Sequence, residues 1–374
     1  FLQVNGPVDL RINVASLKRK DRAQLRLDGP WSNPRWRLAG LVDLPELDGP
    51  LRVQGQLRTP WTDPAFRQIQ VQNALITSAG LRLRLDGTIG DQIDLRSREL
   101  SLAPSFWQRW PVLKQSLGET SELSGALRAS GSLASPELLL DLSQDRNLVL
   151  QQWDLRASWS KASGVLALDR FSSPVLRAEA QLPIRFQNGA AQLGELKAGF
   201  ALTSLPLARL SALTSIPLEG RLSARGRFQG PLSDVNSTVA LDLLRPGVGP
   251  LQLPERWQGQ LTGSTRSEFN LRLASQAPAT DGDLTARLAS SGWPLQADLR
   301  RGGGSLTVRP GAERQLRWRA DQLSIAGLQL SLPTASASGP LQGRLSGDGV
   351  LALKPVELVG DLHLDDPKLR GIAL

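Results

Sequence analysis

The chain has 374 residues, a formal net charge of +9 and 40% hydrophobic residues, with neither cysteine nor methionine. The absence of cysteine excludes a disulfide framework, thiolate zinc sites and cysteine nucleophiles. Length alone suggests two or three compact domains, yet no linker-like change of composition divides the chain, so the expectation is one continuous, elongated repeat β domain over residues 1–374. The sequence opens on Phe1 and stops at Leu374 within an alternating apolar pattern, which reads as an internal fragment of a longer protein. It contains no apolar run long enough for a spanning helix and no secretory leader, so any anchor is expected outside it.

Taken in order, the elements are short and alternate with a period of two, the pattern of a strand with one wet face. Val4, Gly6 and Val8 open the chain weakly; Gly29, Trp31 and Pro34 follow, then Trp36 and Leu38. Leu47, Gly49, Leu51, Gly55, Leu57 and Pro60 form the first full unit. Leu81, Leu83 and Leu85 alternate with Arg82 and Arg84. Phe106, Trp107, Trp110, Leu113 and Leu117 fall at helical spacing, interrupted by Pro111, and predict a short plug over apolar surface. Leu123, Gly125, Leu127, Gly131, Leu133 and Pro136 repeat the earlier unit, and Leu138, Leu140 and Leu142 continue as a strand. Leu166 and Leu168 alternate likewise. A second short helix is predicted at Leu207, Leu210 and Leu213, with Pro206 in its first turn.

Leu218, Gly220, Leu222, Gly226, Phe228 and Pro231 give the next copy of the unit. Strands follow at Leu271 and Leu273, and at Leu316 and Trp318 between Arg317 and Arg319. The series Leu323, Ile325, Leu328, Leu330, Leu332 changes phase at Ala326-Gly327, which predicts a turn or bulge. Leu341, Gly343, Leu345, Gly349 and Leu351 close the set, with the proline late at Pro355. Apolar, Gly, apolar on alternate positions makes a strand in which glycine permits a bend or a close backbone approach. The proline, which cannot donate to a ladder, is expected at the hairpin turn. Continuous Val/Ile runs and long amphipathic helices are missing, so the residues point to an antiparallel meander of roughly 28 short strands at about 13 residues each. The copies lie at unequal separations, which argues against a rigid solenoid and against propeller blades.

The unit around Leu205-Pro206-Leu207 and Pro217-Leu218-Glu219-Gly220-Arg221-Leu222, with Gly226, has a counterpart in Leu102-Ala103-Pro104, Leu123-Ser124-Gly125 and Gly131 to Pro136. In this order of strand, short helical turn and glycine hairpin the chain resembles the TamB family within the wider AsmA-like group. The resemblance covers roughly Leu47 to Leu369 with degenerate motifs. It implies an all-β fold, a long antiparallel sheet folded lengthwise into an open, β-taco-like trough with two short helical segments. It also implies a non-enzymatic, envelope-spanning bridge that conducts phospholipid between membranes and supports outer-membrane biogenesis. The location implied is the periplasm of a Gram-negative-type bacterium, with an inner-membrane anchor outside this sequence. The implied partners are phospholipid acyl chains and an outer-membrane barrel protein of the TamA/BamA type.

The residues expected to line the groove are Leu81, Leu83, Leu85, Leu138, Leu140, Leu142, Leu316, Trp318, Leu328 and Leu330. Gly49, Gly55, Gly125, Gly131, Gly220, Gly226, Gly343 and Gly349 are the expected hairpin glycines. Apolar alternation alone is equally compatible with a closed, filled sandwich. Scattered arginine reads as a solvated outer face, with attraction to anionic headgroups as the sharper alternative. No basic cluster alternates with stacking aromatics, so nucleic acid is not an expected partner. No catalytic, cofactor or metal residues are assigned. His363, the sole histidine, stands with Asp361 and Asp365 on the wet face of a strand, and Gly302–Gly304 after Arg300-Arg301 reads as a turn. A scaffold that holds outer-membrane strands by β-augmentation is the alternative function; a secreted adhesin fits the unequal spacing less well.

Overall fold

The computed structural model describes residues 7–15, 22–30, 35–42, 50–58, 68–107, 122–187, 190–214, 217–275, 281–312, 315–330, 339–353, 356–369 and 372–373. Among these residues the chain is all-β and antiparallel, with 27 strands and two short helices. It divides into two units, Phe1–Pro174 with Gln181–Gln192, and Val175–Ala180 with Leu193–Leu374.

In the first unit the strands are β1 (Pro7–Ala15), β2 (Arg22–Pro30), β3 (Arg35–Val42), β4 (Leu51–Arg58), β5 (Gln68–Ser78), β6 (Leu81–Gly90), β7 (Gln92–Leu102), β8 (Leu123–Ser132), β9 (Ser135–Asn147), β10 (Gln151–Ser160) and β11 (Val165–Ser172). Helix α1 (Pro104–Trp107) lies between β7 and β8, and β12 (Leu176–Gln187) and β13 (Ala190–Leu193), which follow β11 in the chain, each carry residues of both units. Each strand from β1 to β11 pairs antiparallel with its chain neighbour. This is the meander that the alternation and the frequent turn residues predict. The register brings apolar positions into line across strands, so that Leu27, Trp36, Leu57 and Val71 face one another in succession, as do Leu83, Leu100, Gly125, Leu142, Leu155 and Phe171. The best-covered part is a cluster of Trp107, Leu123 and Trp153, over which α1 sits as the predicted plug. The plug's remaining residues, Trp110, Leu113 and Leu117, lie outside the described ones, as does Gly49.

The second unit holds β14 (Glu195–Pro206), α2 (Ala208–Thr214), β15 (Leu218–Pro231), β16 (Asn236–Val248), β17 (Leu251–Gln252), β18 (Arg256–Ser264), β19 (Phe269–Ser275), β20 (Gly282–Leu288), β21 (Pro294–Arg301), β22 (Gly304–Pro310), β23 (Gln315–Ser324), β24 (Gln329–Leu330), β25 (Gly339–Leu353), β26 (Val356–Leu369) and β27 (Ile372–Ala373). Here the open trough is corrected. The pairings β16–β18–β19–β20–β21–β22–β23–β25 return through β24 and β17 to β16, which makes a closed ten-stranded barrel. Closure rests on two segments of two residues each, β17 and β24. The chain is turned into them at Gly249 (φ 60°) and at Gly327 (φ 80°), the latter in the turn predicted at Ala326-Gly327. Pairing these segments satisfies backbone groups that a free margin would leave to water, although Leu251 itself stays 41% exposed.

Two smaller expectations are also corrected. Pro136 lies within β9 opposite Gly131, and Pro231 ends β15 opposite Glu195, so proline flanks the turn instead of forming it. Its missing N–H is harmless at either place, because strand ends need fewer ladder donors. Pro206 ends β14, and α2 begins only at Ala208. The Gly302-Gly303 turn is as expected, both residues having positive φ (58° and 82°) and joining Arg301 to its partner Gly304.

Candidate functional site

An apolar lane runs across the strands of each unit. In the second unit one row passes from Leu202 through Ala224, Leu241, Gly259, Leu273, Leu284, Leu299, Leu306 and Ala320 to Gly347. The row beside it runs from Phe200 over Gly226 and Val239 to Trp318 and Gly349. Where an aromatic residue faces glycine across these rows, the reason is steric. A Cβ on Gly226 would lie 2.2 Å from the Phe200 ring, and one on Gly349 would lie 3.0 Å from Trp318. The aromatic ring of one strand thus lies over the bare backbone of the next.

The lane is covered unequally. In the first unit Leu83, Leu100, Leu123 and Trp153 are buried at one margin, whereas Leu138 and Leu166, near the other, are 39% and 40% exposed. Between these extremes most lane residues, among them Leu81, Leu85, Leu140 and Leu142, are half-buried. In the second unit Leu316 is buried, and Trp318 is half-buried. Leu328 and Leu330, expected in the groove wall, are half-buried in the turn and short strand that close the barrel. Of the expected glycines, Gly131, Gly220 and Gly343 have positive φ, Gly55, Gly125 and Gly349 admit a neighbouring strand's backbone, Gly349 also lying against the Trp318 ring, and Gly226 seats the Phe200 ring.

The opposite face carries cross-strand ion pairs. Arg37 pairs with Asp28 (3.0 Å), Arg98 with Asp86 (2.7 Å), Arg156 with Asp141 (2.7 Å) and Arg170 with Asp154 (2.9 Å). In the second unit Arg287 pairs with Glu268 (2.8 Å) and Arg309 with Asp298 (2.9 Å). Each such exposed pair contributes about 0.2–1 kcal/mol, so this face supplies solubility and register more than stability. His363 is exposed beside Asp365, whose other oxygen accepts from Gln322 Nε2 at 2.7 Å.

One pair gives a pH signature. Arg256 Nε donates to Asp242 Oδ1 at 2.7 Å, and this hydrogen bond, with the guanidinium charge, holds the Asp242 carboxyl below its ordinary value. A depressed folded pKa contributes stability above the unfolded value, near pH 4, and loses it as pH falls through the folded value. Arg256→Ala is therefore expected to destabilise by less than about 1 kcal/mol near pH 7. The difference should shrink between pH 7 and a second, acidic pH below the ordinary aspartate value, as the carboxylate takes up a proton and the charge pairing is lost. Urea titrations at the two pH values check this; an equal loss at both would mean that the arginine acts through its aliphatic stem.

Two features were missed by sequence reasoning. The first is a bulge brace: the backbone N–H groups of Asn73, Ser204 and Gln322, all at positive φ, donate to the side chains of Asp86, Ser223 and Ser346. Its signal was present, since each acceptor directly follows a leucine of a strand pattern, as in Leu85-Asp86, Leu222-Ser223 and Leu345-Ser346. The second is Arg301, which is 2% exposed and held against Glu255, also 2% exposed at its side chain. No local pattern separates Arg301 from its exposed neighbour Arg300. No family model matches the chain, and no curated protein matches it.

Proposed function

We propose that the chain is a non-enzymatic section of an envelope-spanning bridge of the TamB type, in which the apolar lane receives phospholipid acyl chains and passes them between membranes. The observation that supports this reading is a register-aligned apolar face that stays half-covered along much of each unit, with the exposed cross-strand ion pairs on the other face. The exposed lane residues Leu138 and Leu166 call for an apolar cover, and acyl chains are a natural one. Each buried methylene gains about 0.8 kcal/mol without directional bonds, so a chain can move between rows spaced like neighbouring strands. On this reading the trough is the conducting form, the protein lies in the periplasm, and a TamA/BamA-type barrel receives it at the outer membrane.

A second reading, a scaffold for outer-membrane strands, draws on β26. Among the described residues its outer edge pairs only at Lys368 and Leu369, while Val359, Leu362 and Leu364 are 60%, 56% and 46% exposed. Native extraction followed by mass spectrometry of co-purified lipids separates the two. The parent is expected to carry phospholipid, and Leu138→Glu with Leu166→Glu, at exposed lane positions where folding tolerates charge, is expected to reduce it severalfold. A folded parent without lipid favours the scaffold.

A further inference from the structure

The barrel of the second unit is closed by its weakest pairings, and a buried ion pair holds both sides of that closure. β17 contributes only Leu251 and Gln252, and β24 only Gln329 and Leu330; each pairs through two positions with each neighbour, and one of those positions is Pro340, which has no N–H to donate. Behind this seam Arg301 reaches across from β21. Its Nη1 donates to Ser324 O at 2.5 Å, and its Nη2 donates to Ala326 O at 2.6 Å and to Glu255 Oε1. Ser324 and Ala326 belong to the segment that leads into β24, and Glu255 to the segment that leaves β17. Pro254 also meets this turn, 3.4 Å from the place of a Cβ on Gly327. One guanidinium thus ties both flaps of the seam to the far wall.

The tie is a costly one. Glu255 Oε2, Arg301 Nε and Trp257 Nε1 are buried without a hydrogen-bond partner. A buried ion pair with unsatisfied polar atoms contributes little net stability compared with an apolar replacement, although loss of one member is severe. We infer that Arg301 and Glu255 are the latch of a gated chamber, and that release of the latch parts β17 from β24 and turns the barrel of the second unit into an open trough that admits an acyl chain. This inference rests on the proposed lipid-conducting function and names its control point.

Because the protein has no native cysteine, the seam can be addressed directly. Spin labels attached through Val248→Cys on β16 and Gln342→Cys on β25, both exposed positions, report the distance across it. The otherwise native protein is expected to show one short, narrow distance, and Arg301→Met a second, longer population with the amide protection of β18–β22 retained. Glu255→Gln, which keeps the shape and loses the charge, is the companion variant should Arg301→Met not fold. A single unchanged distance in a folded variant overturns the latch. A disulfide between Leu251→Cys and Leu330→Cys, which are direct cross-strand partners, locks the seam. Uptake of a fluorescent-acyl phosphatidylethanolamine from phosphatidylethanolamine/phosphatidylglycerol vesicles is expected to be at least ten-fold slower in the locked protein and to recover on reduction. Equal uptake by locked and reduced protein overturns the gate while leaving lipid conduction intact. Seam opening without uptake in any form supports the latch and overturns the conduction reading.

Discussion

Trp153→Ala is expected to lower the unfolding free energy by about 3–5 kcal/mol, the range for deleting a large buried aromatic. Trp153 is 5% exposed, stacks on Phe171 with ring centroids 5.4 Å apart, and donates its indole N–H to Gln144 Oε1 at 2.7 Å. It also lies in the cluster with Trp107 and Leu123, where removal of its ring opens a cavity that α1 cannot fill without leaving its own contacts. Trp159, on the same strand but half-buried near the opposite margin, is the internal comparison. Its truncation removes less buried area and should cost clearly less. Urea unfolding followed by far-ultraviolet circular dichroism measures both. Equal losses would mean that the two margins of the first unit are covered alike, and the asymmetry on which the lane depends would be gone.

Gly125→Val is the second substitution expected to have a large effect. Gly125 pairs with Leu142, and a Cβ there would lie 2.1 Å from the Asp141 carbonyl oxygen. Backbone cannot step aside as a side chain can, so β8 and β9 must separate locally, at a cost of about 3 kcal/mol, the upper end of the overpacking range. Gly226→Val provides a contrast with a different mechanism. Its Cβ would meet the Phe200 ring at 2.2 Å and a Val239 methyl at 2.9 Å, both of them side-chain atoms. The ring can move or be removed, so Phe200→Ala is expected to recover part of the stability lost in Gly226→Val and none of that lost in Gly125→Val. A double-mutant cycle measures the coupling. Recovery in neither background would show that Gly226 is needed for its backbone and not as a seat for the ring.

Gly125 and Gly220 illustrate how far the sequence could be read. The spacing of Gly125 and Gly220 identified a repeated strand, but not why each is glycine. Gly125 is required by a carbonyl on the next strand and Gly220 by a positive φ of 97°. The bulge braces at Asp86, Ser223 and Ser346 were legible in principle, because each acceptor directly follows a leucine of its strand pattern. They passed unnoticed because an Asp or Ser on the polar face looks like any solvated residue. Leu328 and Leu330 continued an alternating series after the phase change expected at Ala326-Gly327, where Gly327 has a φ of 80°, but the series did not show that Leu330 lies in a closing strand opposite Leu251.

Alternation by itself determined the strands, their antiparallel neighbours and the separation of leucine from arginine onto opposite faces, because a period of two assigns each side chain a face whatever lies beyond it. It left open which part of that face would be covered, since coverage depends on curvature and on contacts between distant segments. The closing strands are two residues long and have no measurable period. The ion pair behind them joins residues 46 apart in the chain, and nothing local distinguishes that arginine from the exposed one beside it. Tertiary structure therefore decided that the second unit closes and that Arg301 is buried, because only there do backbone pairing across the seam and desolvation of a charge compete in the same place.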